Sequence, residues 1–168
     1  MSATLPDISH KFVFTKWTAG NFDNERLAGE LGVPGAVMTH RDVAAQRGVS
    51  AGSGEHAGHR IGIQFGAPGG AINLGLQNPN MNTFAPREVQ DVLNGPGGSY
   101  LKLEREWADK LKSSWKIWVE VTDKYRKGEG RPLFRTVHWT ESDPSGNKTS
   151  KTLYFGNFSS PQLRNAGK

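Results

Sequence analysis

The stretch "SYLKLEREWADKLKSSWKIWVEVTDKY" (residues 99–125) changes its period halfway along. Tyr100, Leu103, Trp107 and Leu111 recur at three- and four-residue spacing, which places them on one helical face, and Ser99 follows the breaker "NGPGG" as an N-cap. From Trp115 the spacing is two: Trp115, Ile117, Val119 and Val121 alternate with Lys116, Trp118 and Glu120, as in a half-buried strand. A helix over 99–114 running into a strand over 115–125 predicts an α+β domain.

Downstream, "LFRTVHWT" (133–140) reads as a second strand, and "SDPSGN" turns it into a third, "KTLYFGNF" (151–158). The C-terminal third is therefore expected to be an antiparallel meander with much of the basic charge on its outward face. Upstream, "HKFVFTKW" (10–17) and "GAVMTH" (35–40) look like short strands, and "NERLAGELG" (24–32) like a weak helical segment ended by glycine. Nine glycines between Gly48 and Gly75 predict a loop-rich surface folded over the rest.

The 168 residues suit one domain, and five Trp, eight Phe and three Tyr supply bulky core material. Without cysteine there are no disulfides, thiolate metal sites or Cys nucleophiles. No stretch reaches membrane-spanning length, and "MSATLPDISHKF" lacks a signal-peptide pattern, so export would require a signal in a parent protein or a dedicated machinery. Residues 110–168 hold 12 Lys/Arg against 5 Asp/Glu, whereas residues 1–109 hold 9 against 11. This asymmetry suits a polyanionic partner, and equally a solvated face.

Several common sites are absent from the sequence. "GSGEHAG" has the wrong glycine spacing for a dinucleotide fingerprint, and there is neither a GxxxxGK[ST] loop nor a G-x-S-x-G elbow. Paired-carboxylate hydrolysis is disfavoured in the Gly-rich region, because Glu55 is the sole acid from Val43 to Arg87. Histidine remains as the base. His56 and His59 could be a zinc pair, but only His10, His40 and His138 are left as further nitrogen donors. Alone, His56 reads as a hydrogen-bonding surface residue.

"GHRIGIQFGAPGGAINLGLQNPNMN" (58–82), followed by "YLKLEREW", resembles the DNA/RNA non-specific endonucleases of the ββα-metal, or His-Me finger, superfamily. Compact members of that family form C-terminal domains of bacterial polymorphic toxins. The resemblance rests on Gly58-His59, Phe65-Gly66, Asn73-Leu74, Gln77-Asn78, Met81-Asn82 and Leu103-Glu104, in that order, and extends over about residues 55–157. It implies a ββα-metal nuclease core packed on an antiparallel sheet. His59 would be the general base, and Asn82 the direct ligand of a divalent cation, Mg²⁺ or Mn²⁺. Asn73 would hold the site in shape or contact the scissile phosphate, and Glu104 would orient metal-bound water. The implied substrates are DNA and RNA without sequence preference. A toxin context implies secretion or delivery into a target cell, and an acidic immunity protein as partner.

Elementary chemistry agrees with this division of labour. Histidine is a base near neutral pH, and a neutral asparagine holds a cation without repelling the anionic substrate or cancelling the cation's charge. Larger family members carry Asp-Arg before Gly-His, where this chain has His56-Ala57, so the phosphate-contacting arginine falls to Arg60 or Arg105, with Arg41 more remote. Two other readings use the same residues: a non-catalytic nucleic-acid-binding or toxin-accessory module, and a small zinc-stabilised interaction domain.

Overall fold

The computed structural model describes residues 11–35, 42–51, 56–77 and 100–156. Five strands form one antiparallel sheet: β1 (Val13–Ala19), β2 (Phe22–Glu30), β5 (Lys116–Arg126), β6 (Phe134–Ser142) and β7 (Lys148–Gly156), neighbours in that order. A separate hairpin pairs β3 (His56–His59) with β4 (Leu74–Gln77). Helix α1 covers Val43–Ser50 and helix α2 covers Tyr100–Lys112. The α+β class and the C-terminal meander match the sequence reading.

Helix α2 begins at Tyr100, so the expected cap at Ser99 lies outside the described residues. Its buried face is Tyr100, Leu103, Glu104, Trp107, Ala108 and Leu111. Ser114, with φ 68°, turns the chain from the helix end towards β5. On β5 the alternation continues past the apolar residues: Ile117, Val119, Val121, Asp123 and Tyr125 are all buried. Cross-strand partners share a face, so the inner side of the sheet can be read in rows. Gly29, Val119 and Trp139 make one row, Leu27, Val121 and Val137 the next, and Glu25, Asp123 and Arg135 the third. Trp107 packs edge-on over the first of these rows, with its ring centre 5.6 Å from Trp139 and 6.3 Å from Phe65.

Two expectations are corrected. "NERLAGELG" is not helical: its residues 24–30 belong to β2, between β1 and β5. Its period of two was hidden because the inward positions beside Leu27 are Glu25 and Gly29; Gly29 is required there, since a Cβ would stand 2.6 Å from Phe12 Cδ1. Pairing on both edges overrides a weak local helical preference. The Gly-rich region is likewise not a mere surface: Arg60, Ile61, Phe65, Ala67, Asn73 and Leu74 within it are buried, and α1 precedes it. The expected strand at 35–40 lies largely outside the described residues. Among the described residues no helix is long and apolar enough to cross a membrane.

Candidate active site

The β3–β4 hairpin presses its backbone onto the charged third row of the sheet. The register sets Gly58 opposite Gly75, and a Cβ at Gly75 would lie 2.9 Å from Asp123 Oδ2. Only glycine lets the strand come this close. Arg60, the residue after β3, is fully buried and reaches down through this contact. Its Nε donates to Asp123 Oδ2 at 2.9 Å, Nη1 to the Ile72 carbonyl at 2.6 Å, and Nη2 to the Tyr125 hydroxyl at 2.7 Å and to Glu25 Oε2. Arg135 meets the same carboxylate from β6, with Nε to Asp123 Oδ1 at 2.7 Å and Nη2 to Oδ2 at 3.0 Å.

Two buried guanidinium groups thus share one buried carboxylate, and Glu25 supplies a second negative charge from the half-exposed edge. Burial pushes the Asp123 carboxyl up, but Arg135 and Arg60 outweigh it and hold its pKa below the ordinary value. Burial likewise works against the Arg60 cation, yet Asp123, Tyr125 and Glu25 raise its pKa overall. A pair of this kind is favourable only because nearly every donor is satisfied; one missing partner would leave an uncompensated charge in the core.

Asn73, together with the Arg60 bond to the Ile72 carbonyl, closes the loop between the strands. Asn73 is buried, and its Oδ1 accepts from the Ile61 N–H at 2.9 Å, while Nδ2 donates to the Ile61 and Pro68 carbonyls, both at 2.7 Å. The Arg60 N–H donates to the Asn73 carbonyl at 2.8 Å. From α2, Glu104 Oε2 accepts from the Gly62 N–H at 2.8 Å, and the Tyr100 hydroxyl donates to the Arg60 carbonyl. A Cβ at Gly62 would fall 2.7 Å from that carboxylate oxygen. Burial raises the Glu104 carboxyl to about 7, although the Gly62 N–H and the Arg135 charge pull it down.

His59 ends β3 opposite Leu74; it is half-buried and its Nε2 atom is buried. Its carbonyl accepts from Arg135 Nη1 at 3.4 Å, so the backbone at this histidine is tied to the charged row. The structure therefore gathers His59, Arg60, Asn73 and Glu104 around one loop. It corrects the expectation for Arg60: its guanidinium faces Asp123 and Glu25 inside the protein and is not presented to a phosphate. Arg105 is exposed on α2. Asn82 and Arg41 lie outside the described residues, as do His10 and His40. His56 opens β3 opposite Gln77. His138 stands on the other side of the sheet, bonded through Nδ1 to Thr152 Oγ1 at 2.8 Å, and so cannot join His59 in a zinc set.

Among the described residues no three His, Asp or Glu side chains are grouped to hold a metal ion. Asn73 offers no ligand, because both ends of its amide are engaged by backbone. The sequence reading missed Asp123, Arg135, Glu25, Tyr125 and Tyr100. The signal was present in the alternation: Asp123 follows Val119 and Val121 at the buried phase of β5, and Arg135 precedes Val137 and Trp139 at that of β6. A charge at an apolar phase marks a buried network.

No family model and no curated protein sequence matches this chain. The solved structures similar to it in fold include two nucleases. One, described as an extracellular nuclease, has 15% sequence identity, covers 95% of this chain and 92% of its own, and gives a TM-score of 0.51. The other, described as an extracellular endonuclease, has 16% identity, covers 94% and 84%, and gives 0.49. The likeness is one of fold, and it rests on the first of the two: this α+β chain, with its antiparallel sheet, has a fold similar to that of an extracellular nuclease.

Proposed function

We propose that this protein is a metal-dependent endonuclease that hydrolyses phosphodiester bonds of DNA, and of RNA, without sequence preference, through a ββα-metal core. The observation that carries this reading is the placement of His59. It ends a hairpin strand whose backbone is fixed by Arg135, by the Asn73-closed loop and by Glu104, within a fold similar to that of an extracellular nuclease. A general base must hold its place to within a fraction of an ångström, and such backbone anchoring supplies that.

In this mechanism the His59 imidazole takes a proton from the attacking water as its oxygen adds to phosphorus, and the ester oxygen opposite departs with the bonding pair and takes up a proton from solvent water. Asn73 and Glu104 are positioning residues that act through the 60–73 loop. Asn82 would hold the Mg²⁺ or Mn²⁺ ion, which when bound neutralises charge on the phosphate. Arg105, exposed on α2, is the phosphate-contacting arginine of this proposal. The reading extends to a secreted or delivered toxin, neutralised in its producer by an acidic immunity protein that covers the basic C-terminal third.

One observation favours a competing reading, nucleic-acid binding without turnover: the arginine nearest the histidine is locked inside the protein. Incubation with supercoiled plasmid, with Mg²⁺ and with chelator, separates the two. The nuclease nicks and linearises plasmid only with metal, and loses this activity in Asn82→Ala while keeping its fold. Retention without cutting in any divalent cation would leave the binding module.

A further inference from the structure

Helix α2 and the hairpin occupy the inner face of the five-stranded sheet, and the outer face has a different composition. Its positions on β2, β5, β6 and β7 include two carboxylates, Glu30 opposite Trp118 and Glu120, while Arg26, Lys124 and Arg126 stand together in three successive cross-strand rows towards the other end. Aromatic rings are interleaved with these cations. The Arg26 guanidinium lies 4.8 Å from the ring centre of Trp17, and Lys124 Nζ lies 4.5 Å from Phe22 and 5.6 Å from Phe134. Internal cation–π packing accounts for those rings. It does not account for Trp118 and Tyr154, which are 40% and 66% exposed on the same face.

Large exposed rings beside cations, on a flat open sheet, suit one class of ligand. Unpaired bases offer π faces that stack on aromatic rings and guanidinium planes, and the phosphates between them meet the positive charges. Bases inside a duplex are already stacked on one another and cannot use such rings. We propose that this outer sheet face is a binding platform for single-stranded nucleic acid, with Trp118 and Tyr154 as base-stacking residues and Arg26, Lys124 and Arg126 as phosphate contacts. It is separated by the thickness of the sheet from the His59 hairpin, and it needs no metal. Binding at this face stands whether or not the other face cleaves.

The test is fluorescence anisotropy with a labelled oligothymidylate of about fifteen nucleotides in chelator. A duplex of equal length and polyglutamate, which carries charge without bases, serve as competitors. The oligothymidylate should bind more tightly than either. Trp118→Ala and Tyr154→Ala should each weaken it about tenfold, and Tyr154→Phe, which keeps the ring, should restore most of the affinity. Melting temperatures measured in parallel show that the variants remain folded. The proposal is overturned by absence of saturable binding, by equal binding of duplex or polyglutamate, or by wild-type affinity in both alanine variants. It is also overturned if the wild type is a dimer that Trp118→Ala dissociates without change in oligonucleotide affinity. Plasmid cleavage in Mg²⁺, assayed on the same preparations, reports on His59 separately: oligonucleotide binding without cleavage would sink the nuclease reading and leave this one intact.

Discussion

The inner face of the sheet has two ends built on opposite principles. At one, Leu27, Val119, Val121, Val137 and Trp139 lie under Trp107, and the contact is apolar and tolerant of direction. At the other, Glu25, Asp123 and Arg135 lie under Arg60 and the hairpin, and each contact has a fixed donor and acceptor. Apolar burial contributes free energy in proportion to area, so many packings serve about equally well. A buried charge network contributes less net stability but admits one geometry. The part of the molecule that carries His59 rests on the second kind of contact.

The contrast can be broken most directly at Asp123. Asp123→Asn keeps the shape but removes the carboxylate charge that the two buried guanidinium groups share, and is expected to cost about 3–5 kcal/mol in urea denaturation. A loss under about 1 kcal/mol, the size of an exposed pair, would show that the network is not what fixes the hairpin.

Glu104 provides the next largest effect, as a pH dependence of stability. Its carboxyl is raised from 4.5 to about 7 in the folded protein, so the native state holds its proton more tightly than the unfolded chain does. Stability from this group is complete below about pH 4.5 and declines as the pH rises to about 7, by on the order of 3 kcal/mol. Asp123, whose pKa is depressed, works in the opposite direction: its contribution is present above its ordinary value of 3.8 and is lost as the pH falls through the folded value. Glu104→Gln should remove the decline between pH 4.5 and 7 and leave the acid limb unchanged; an unaltered profile would refute the assignment.

His59 sharpens the comparison, because function and stability should separate there. His59→Ala is expected to lower turnover by about two orders of magnitude or more with nucleic-acid affinity nearly unchanged. His56→Ala should do much less. Equal losses of melting temperature in both variants, preceding any loss of rate, would favour a zinc pair and end the nuclease mechanism as drawn.

The smallest effect belongs to the apolar end. Trp107 Nε1 is buried with no hydrogen-bond partner among the described residues. Trp107→Phe loses ring volume but also removes that unsatisfied donor, and should cost no more than about 1.5 kcal/mol. If it proved more damaging than Asp123→Asn, the two ends would have to be exchanged in this account.

What the sequence by itself determined is the periodic part of the protein. Helix α2 and strands β5 and β6 were legible because each buries a face that repeats at its own period, and that period is local. Strand β7 is exposed from Lys148 to Tyr154 and was legible from the turn that precedes it. Of the residues that carry the family resemblance, Asn73 and Glu104 both bond the backbone that follows His59, at Ile61 and Gly62. Tertiary structure alone decided the rest. Residues 24–30 became part of a strand because β1 and β5 pair with its two edges. Glu104 stands at a buried phase of α2, and the fold brought the Gly62 N–H to it from 42 residues away. Arg60 was turned inward because Asp123, 63 residues away in sequence, carries a charge at a buried position. A guanidinium beside a histidine can face a phosphate or a carboxylate equally well, and only the chain brought opposite it in space settles which.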